Sequence, residues 1–188
     1  MLPITIPASG DMWDPVKEEF VQGTDETTIV LEHSLISISK WEEIYEKPFI
    51  GDGTEKYDKT PEEILDYIKC MTITPVNDER IFNAMTKENV DEVTKYIYSK
   101  RSATVINYLG KKEEEKKEII TSELVYCWMT LLNIPFKCAQ WHINRLLNLI
   151  ELCSIKNDPN PKKMNPKEYA AWRNAENQKR RALKRAKH

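Results

Sequence analysis

"TTIVLEHSLISISKWEEIYEK" (Thr27–Lys47) joins two kinds of chain. Its first part, Thr27–His33, is rich in β-branched residues and reads as a strand. After Ser34 the pattern becomes helical: Leu35, Ile38, Trp41, Ile44 and Tyr45 recur at spacings of three and four, which predicts one apolar helical face. The junction therefore predicts a sheet before it and helices after it. Upstream, "LPITIPA" (Leu2–Ala8) and "EEFVQ" (Glu18–Gln22) also favour β-structure, with "SGD" and "GTD" turn chemistry between the segments. The three strands predict a small N-terminal antiparallel sheet over residues 1–33, and Pro48 is expected to end the first helix.

Downstream, "TPEE" is a helix start, with Thr60 as cap, Pro61 at the first helical position and Glu63 completing a capping box. The helix it opens is expected to turn Ile64, Leu65, Ile68 and Met71 inward, with Cys70 beside them. Further helices are expected from Asp78 to Met85 and from Lys87 to Tyr98, the latter capped by Thr86. "SATVINYL" (Ser102–Leu109) reads as a returning strand or a short helix, and "GKKEEEKKE" as a solvated charge run. Two stronger helices follow. One carries Ile120, Leu124, Cys127, Trp128 and Leu131 on one face; the other, from about Phe136 to Ile155, carries Ala139, Ile143, Leu146, Ile150 and Cys153. The short "NIP" break between them predicts an antiparallel hairpin.

The expected class is thus α+β, predominantly helical: a small sheet, then a helical bundle over residues 34–155 ending in a helical hairpin. A chain of 188 residues with 40% hydrophobic content suits one domain, taken as residues 1–155. "KNDPNPKKMNP" reads as a linker, and Asn165, Pro166 and Glu168 would start an appended basic helix within 156–188. Charge is segregated along the chain. Residues 156–188 hold eleven Lys/Arg against three Asp/Glu, a net +8, so the net −2 of the whole leaves −10 on the body. Such a split points to an electrostatic partner for the tail, or to pairing of tail with body between molecules. The opening "MLPITIPASGDMWD" lacks the basic start of a secretory signal, and no apolar run reaches the roughly 18–20 residues that span a bilayer. A soluble, unexported protein with free thiols is expected.

"YCWMTLLNIPFKCAQWHINRLL" (Tyr126–Leu147) sets Cys127, Cys138 and His142 among aromatic residues and raises the question of a metal or nucleophile site. Cys153 lies eleven residues beyond His142, roughly 16 Å along a continuous helix, too far to join. At most three ligands remain, without the paired knuckle of most structural zinc sites. Burial of inert thiols, with His142 packed or hydrogen-bonded, is the expected arrangement, and no metal or cofactor is assigned. A nucleophile would need an exposed thiolate beside the imidazole, whereas Cys127 is expected to be buried between Tyr126 and Trp128. His33 is expected to make a structural hydrogen bond, and His188 is terminal. Glu42, Glu43, Glu62 and Glu63 are expected on solvent faces, and "GDGTEK" lacks the features of a phosphate-binding loop. No catalytic residues are assigned. The tail, with "KRRALKRAKH", Tyr169 and Trp172, keeps nucleic acid open as a partner.

Several phrases together carry a resemblance: "LEHSLISISKWEEIYEKPF", "LDYIKCMTITP", "EIITSELVYCWMTLLNIPFKCAQWHINRLLNLIELCSIKN" and "KKMNPKEYAAWRNAENQKRRALKRAKH". From Leu2 to the tail the chain resembles tailed-bacteriophage tail assembly chaperones, encoded close to the tape measure protein. The resemblance implies a non-enzymatic protein of the host cytoplasm that coats the long helical tape measure protein during virion morphogenesis and leaves as tube subunits polymerise. In many such families a longer frameshifted form recruits the tail tube protein, and self-association along the client is expected. Candidate partner-binding residues are Trp13, Phe49, Ile50 and Phe136, with Trp172, Arg180, Arg181, Lys184 and Arg185 on the tail. A structural virion component, such as a tail or neck adaptor, and a nucleic-acid-binding accessory protein are the competing readings.

Overall fold

The computed structural model describes residues 1–14, 18–50, 59–104, 119–157 and 173–174. The fold is α+β and predominantly helical. Strand β1 (Leu2–Ile6) pairs antiparallel with β4 (Thr27–Leu31), in register from Leu2 opposite Leu31 to Ile6 opposite Thr27. Alternation along both strands sends Ile4, Ile6, Ile29 and Leu31 into the core. Between them β2 (Met12–Asp14) and β3 (Glu19–Val21) form a second two-stranded sheet, with Trp13 opposite Phe20.

The single sheet of three strands expected from sequence is therefore two pairs, one of which uses the unforeseen strand Met12–Asp14. The chain pinches together at Ser9 and Thr24: Ser9 N–H donates to the Thr24 carbonyl at 2.9 Å, and Thr24 N–H donates to Ser9 Oγ at 2.9 Å. Beside this pinch the backbone of Gly23 lies so close that a Cβ would meet the Ser9 carbonyl oxygen at 1.9 Å, so only glycine fits. Beyond this pinch, β2 and β3 pair with each other in a sheet separate from that of β1 and β4.

Helix α1 (Leu35–Tyr45) opens on a capping box between Ser34 and Ser37. It ends at Tyr45, with Glu46 in the left-handed region at φ 52°, two residues before Pro48. Ile44, expected inside, is 61% exposed, while Glu42 is buried. Successive steps of three along Leu35, Ile38, Trp41 and Ile44 each fall about 60° short of a full turn, so Ile44 ends on the opposite side from Leu35. Helix α2 (Pro61–Met71) starts on the Thr60–Glu63 capping box and buries Glu63, Tyr67, Ile68 and Met71. Ile64 remains 40% exposed, and Tyr67 contributes the large side chain on the buried face.

The helix expected from Asp78 to Met85 is a 3-10 helix (Glu79–Ala84) that buries Ile81 and Phe82. Helix α3 (Lys87–Ile97) begins at Thr86, which forms a capping box with Asn89. Ser102–Thr104 form no strand, and the remainder of Ser102–Leu109 lies outside the described residues.

Helix α4 (Ser122–Leu131) is capped by Thr121 and buries Ser122, Val125 and Met129. The stripe expected inside is only partly so: Ile120 and Trp128 pack against the core, but Cys127 is exposed and Leu131 is 73% exposed. "LVYCWMTLL" is apolar on both sides of a helix, so periodicity alone allows two inward stripes. Contact with α1, its main helical neighbour, selects the other one. The Glu42 carboxylate of α1 helps to set that choice, since its Oε2 accepts the Ser122 N–H at 2.7 Å and its Oε1 accepts the Phe49 N–H at 2.7 Å.

Beyond "NIP", Phe136–Gln140 is a 3-10 turn, and α5 (Ile143–Asn157) begins after a break at Trp141–His142. The continuous helix expected from Phe136 is interrupted because His142 forms a β-bridge with Ser34 and Ile143 N–H donates to the His33 carbonyl at 2.8 Å. Ala139, Ile143, Leu146 and Ile150 are buried as expected, and Cys153 is half-buried. One hydrophobic cluster runs from Ile4 in β1 to Ile150 in α5. Of the basic segment 156–188, only Lys156, Asn157, Arg173 and Asn174 fall among the described residues, all four exposed.

Candidate functional site: a buried polar seam and two exposed apolar faces

The chemistry-bearing residues meet where the end of β4 touches the start of α5. His33 and His142 pack edge to face, ring centres 5.1 Å apart. His33 Nδ1 is hydrogen-bonded to the Tyr67 hydroxyl of α2, as its place at the strand end suggested. His142 Nε2–H donates to the Tyr96 carbonyl at 3.1 Å, and its Nδ1 accepts the Asn144 N–H at 3.3 Å. The Tyr96 hydroxyl donates to Glu32 Oε1 at 2.7 Å, and the Met1 amino group lies 2.7 Å from Glu32 Oε2. Arg101 stacks on the Tyr96 ring, its guanidinium carbon 4.6 Å from the ring centre.

Burial, and then the nearby His142, push His33 down to about 3. Burial likewise lowers His142, partly opposed by its bond to the Tyr96 carbonyl. Burial drives Tyr67 well above its usual value, and burial with the Glu32 hydrogen bond raises Tyr96. Near neutral pH the seam is thus two uncharged imidazoles and two protonated phenols, joined by the hydrogen bonds just described. An imidazole held that low is a poor general base. Geometry and pKa agree on a structural network.

The cysteines are not gathered around His142. Cys138 is buried, Cys70 and Cys153 are half-buried, and Cys127 points outward, which corrects its expected burial. Among the described residues no group of three or more His, Cys, Asp or Glu side chains is placed to hold a metal ion. Two carboxylates expected in solvent are buried: Glu42, bound as described to two backbone N–H groups, and Glu63, whose Oε1 accepts from Lys47 Nζ at 2.7 Å and whose Oε2 accepts from Thr60 N–H at 2.9 Å. These bonds hold the Glu63 carboxyl below its usual range.

Of the candidate contact residues, Phe49 and Ile50 pack against the core. The Phe49 ring lies 4.0 Å from that of Tyr67 and 5.2 Å from that of Trp41, and Lys59 Nζ sits 4.2 Å above it. Phe49 is accordingly half-buried. Trp13 and Phe136 do reach the surface, at 52% and 61% exposure. Phe136 packs edge-on to the half-buried Tyr126 of α4 at 5.8 Å, while Cys127 and Leu131 lie on the outward side of that helix. Trp13 meets Phe20, itself 72% exposed, edge to face at 5.1 Å on the β2–β3 hairpin.

Sequence reasoning missed Leu131, which it turned inward, and Phe20. For Leu131 the available signal was the two-sided apolarity of α4; for Phe20 it was its place in a short strand among acids. Trp172, Arg180, Arg181, Lys184 and Arg185 lie outside the described residues. Among the described residues no helix is long and apolar enough to cross a membrane. Compared with known proteins, the chain matches no family model, no curated protein and no solved structure.

Proposed function

We propose that this protein is a tail assembly chaperone of a tailed bacteriophage, binding the tape measure protein in the host cytoplasm without catalysing a reaction. The observation that carries this reading is the run of phrases from Leu2 to the basic tail that resembles such chaperones. Two features of the fold support it. The histidines and the buried carboxylates Glu42 and Glu63 are committed to internal hydrogen bonds, while α4 leaves the apolar side chain of Leu131 on an outward face and Phe136 is exposed on the 3-10 helix that follows. A chaperone for a long amphipathic helix needs apolar contacts repeated along the client, which such a face offers.

Co-expression with a phage tape measure protein tests the proposal. The client should stay soluble and co-purify with this chain, and Leu131→Asp with Phe136→Asp should reduce the captured client several-fold while leaving the fold intact. Failure to capture the client, or stoichiometric presence of this chain in finished virions, would overturn the reading. The second outcome would favour a structural tail or neck component.

A further inference from the structure

The β2–β3 hairpin carries an exposed apolar face that the client-binding proposal does not require. Trp13 and Phe20 face each other across the pair, half or more of each open to solvent. A two-stranded sheet leaves the outer edge of both strands without a strand neighbour among the described residues, and an isolated hairpin of this length is marginally stable alone. Its base is closed by Ser9 with Thr24 and by Gly23 N–H donating to Asp11 Oδ1 at 2.9 Å, and Arg80 NH1 ties it to the body by donating to the Gln22 carbonyl at 3.1 Å.

Charge identifies the occupant. Between Asp11 and Glu26 the sequence holds six Asp/Glu against Lys17 alone, and Asp11, Glu18, Glu19, Asp25 and Glu26 are exposed. Arg80, the basic side chain that reaches the hairpin base, is already held by Asp78 at 2.7 Å. At the other end of the chain, Asn177–His188 holds six Lys/Arg and no Asp/Glu. We propose that the Trp13–Phe20 face of the hairpin is the docking site for this chain's own basic segment, Asn177–His188. Guanidinium groups stack on exposed aromatic faces while the surrounding carboxylates draw the segment in. The proposal accounts for the opposite charges of body and tail and is independent of any client.

Hydrogen exchange on the full-length protein tests it. Docking should slow exchange of the β2–β3 amides. Reversing charge in the segment with Arg180→Glu, Arg181→Glu and Lys184→Glu should speed exchange there several-fold and leave α1 and α5 unchanged. Zero-length carboxylate–amine cross-linking should join Glu18, Glu19, Asp25 or Glu26 to Lys179, Lys184 or Lys187, with a yield that falls as salt is added. Unchanged hairpin exchange in the charge-reversed variant would overturn the proposal. So would links from the tail lysines that favour the exposed acids of α3, Glu88, Asp91 and Glu92, over the hairpin.

Discussion

Two aromatic clusters in this protein are built from similar side chains and used in opposite ways. Around Phe49, the rings of Trp41, Tyr67 and His33 close on one another beneath α1 and α2, and Trp41 Nε1–H donates to the Glu63 carbonyl at 2.9 Å. On the β2–β3 hairpin, Trp13 and Phe20 touch only edge to face and remain open to solvent. The difference lies in what each segment can lean on. The inner cluster sits between two helices and the β1–β4 pair, whereas the hairpin forms a separate sheet beyond the Ser9–Thr24 pinch and the close approach at Gly23. An aromatic residue in the first cluster is held for stability; in the second it is available to a partner.

Substitutions should expose this contrast. Trp41→Ala removes a side chain that is 1% exposed and should cost about 3–5 kcal/mol, read as a large fall in the urea midpoint. A loss below about 1 kcal/mol would mean that the inner cluster is not the stabilising one. Glu42→Gln comes next. It replaces an acceptor of two backbone N–H groups with an amide that presents a donor to one of them, for about 1.5–3 kcal/mol in the same assay. Retained stability would show that the tie from α1 to the start of α4 is dispensable.

Acid should weaken the inner region selectively. His33 sits near 3 in the folded chain and about 6.5 when unfolded, so below about 6.5 the unfolded chain binds more protons. Stability is therefore complete above that value and falls as the pH drops toward 3. Lowering the pH from about 7.5 to about 5, still above the ordinary carboxylate range, should cost about 2 kcal/mol through His33, with His142 adding to it. Urea midpoints across that window check this, and His33→Gln should flatten the slope. The smallest effect belongs to the hairpin: Trp13→Ala should change global stability by no more than about 0.5 kcal/mol. A loss as large as that of Trp41→Ala would make the hairpin part of the core.

Local signals were legible where a helix start depends on neighbouring residues. The Thr60–Glu63 and Thr86 caps stand where the sequence placed them, because a capping hydroxyl three residues from its backbone donor needs no tertiary partner. The β1–β4 strands and the inward stripe of Ala139, Ile143, Leu146 and Ile150 were readable for a similar reason, since a pattern with one apolar side has one way to bury it. The candidate surface was harder to read. Helix α4 has two apolar sides, so its exposed residues Cys127 and Leu131 could be separated from its core only once α1 was in place.

By itself the sequence determined the change from strand to helix at Ser34, most helix starts, the inward stripe of Ala139, Ile143, Leu146 and Ile150, and the opposite charges of body and tail. Tertiary structure decided what the crowded "YCWMTLLNIPFKCAQWHINRLL" stretch becomes. The β-bridge from His142 to Ser34 and the Ile143 bond to the His33 carbonyl break the helix there and draw the two histidines together, while the packing of α4 on α1 leaves Cys127 outside. Helical periodicity places residues around an axis, but the orientation of that axis and the interruption of the helix depend on backbone hydrogen bonds to a segment more than a hundred residues away.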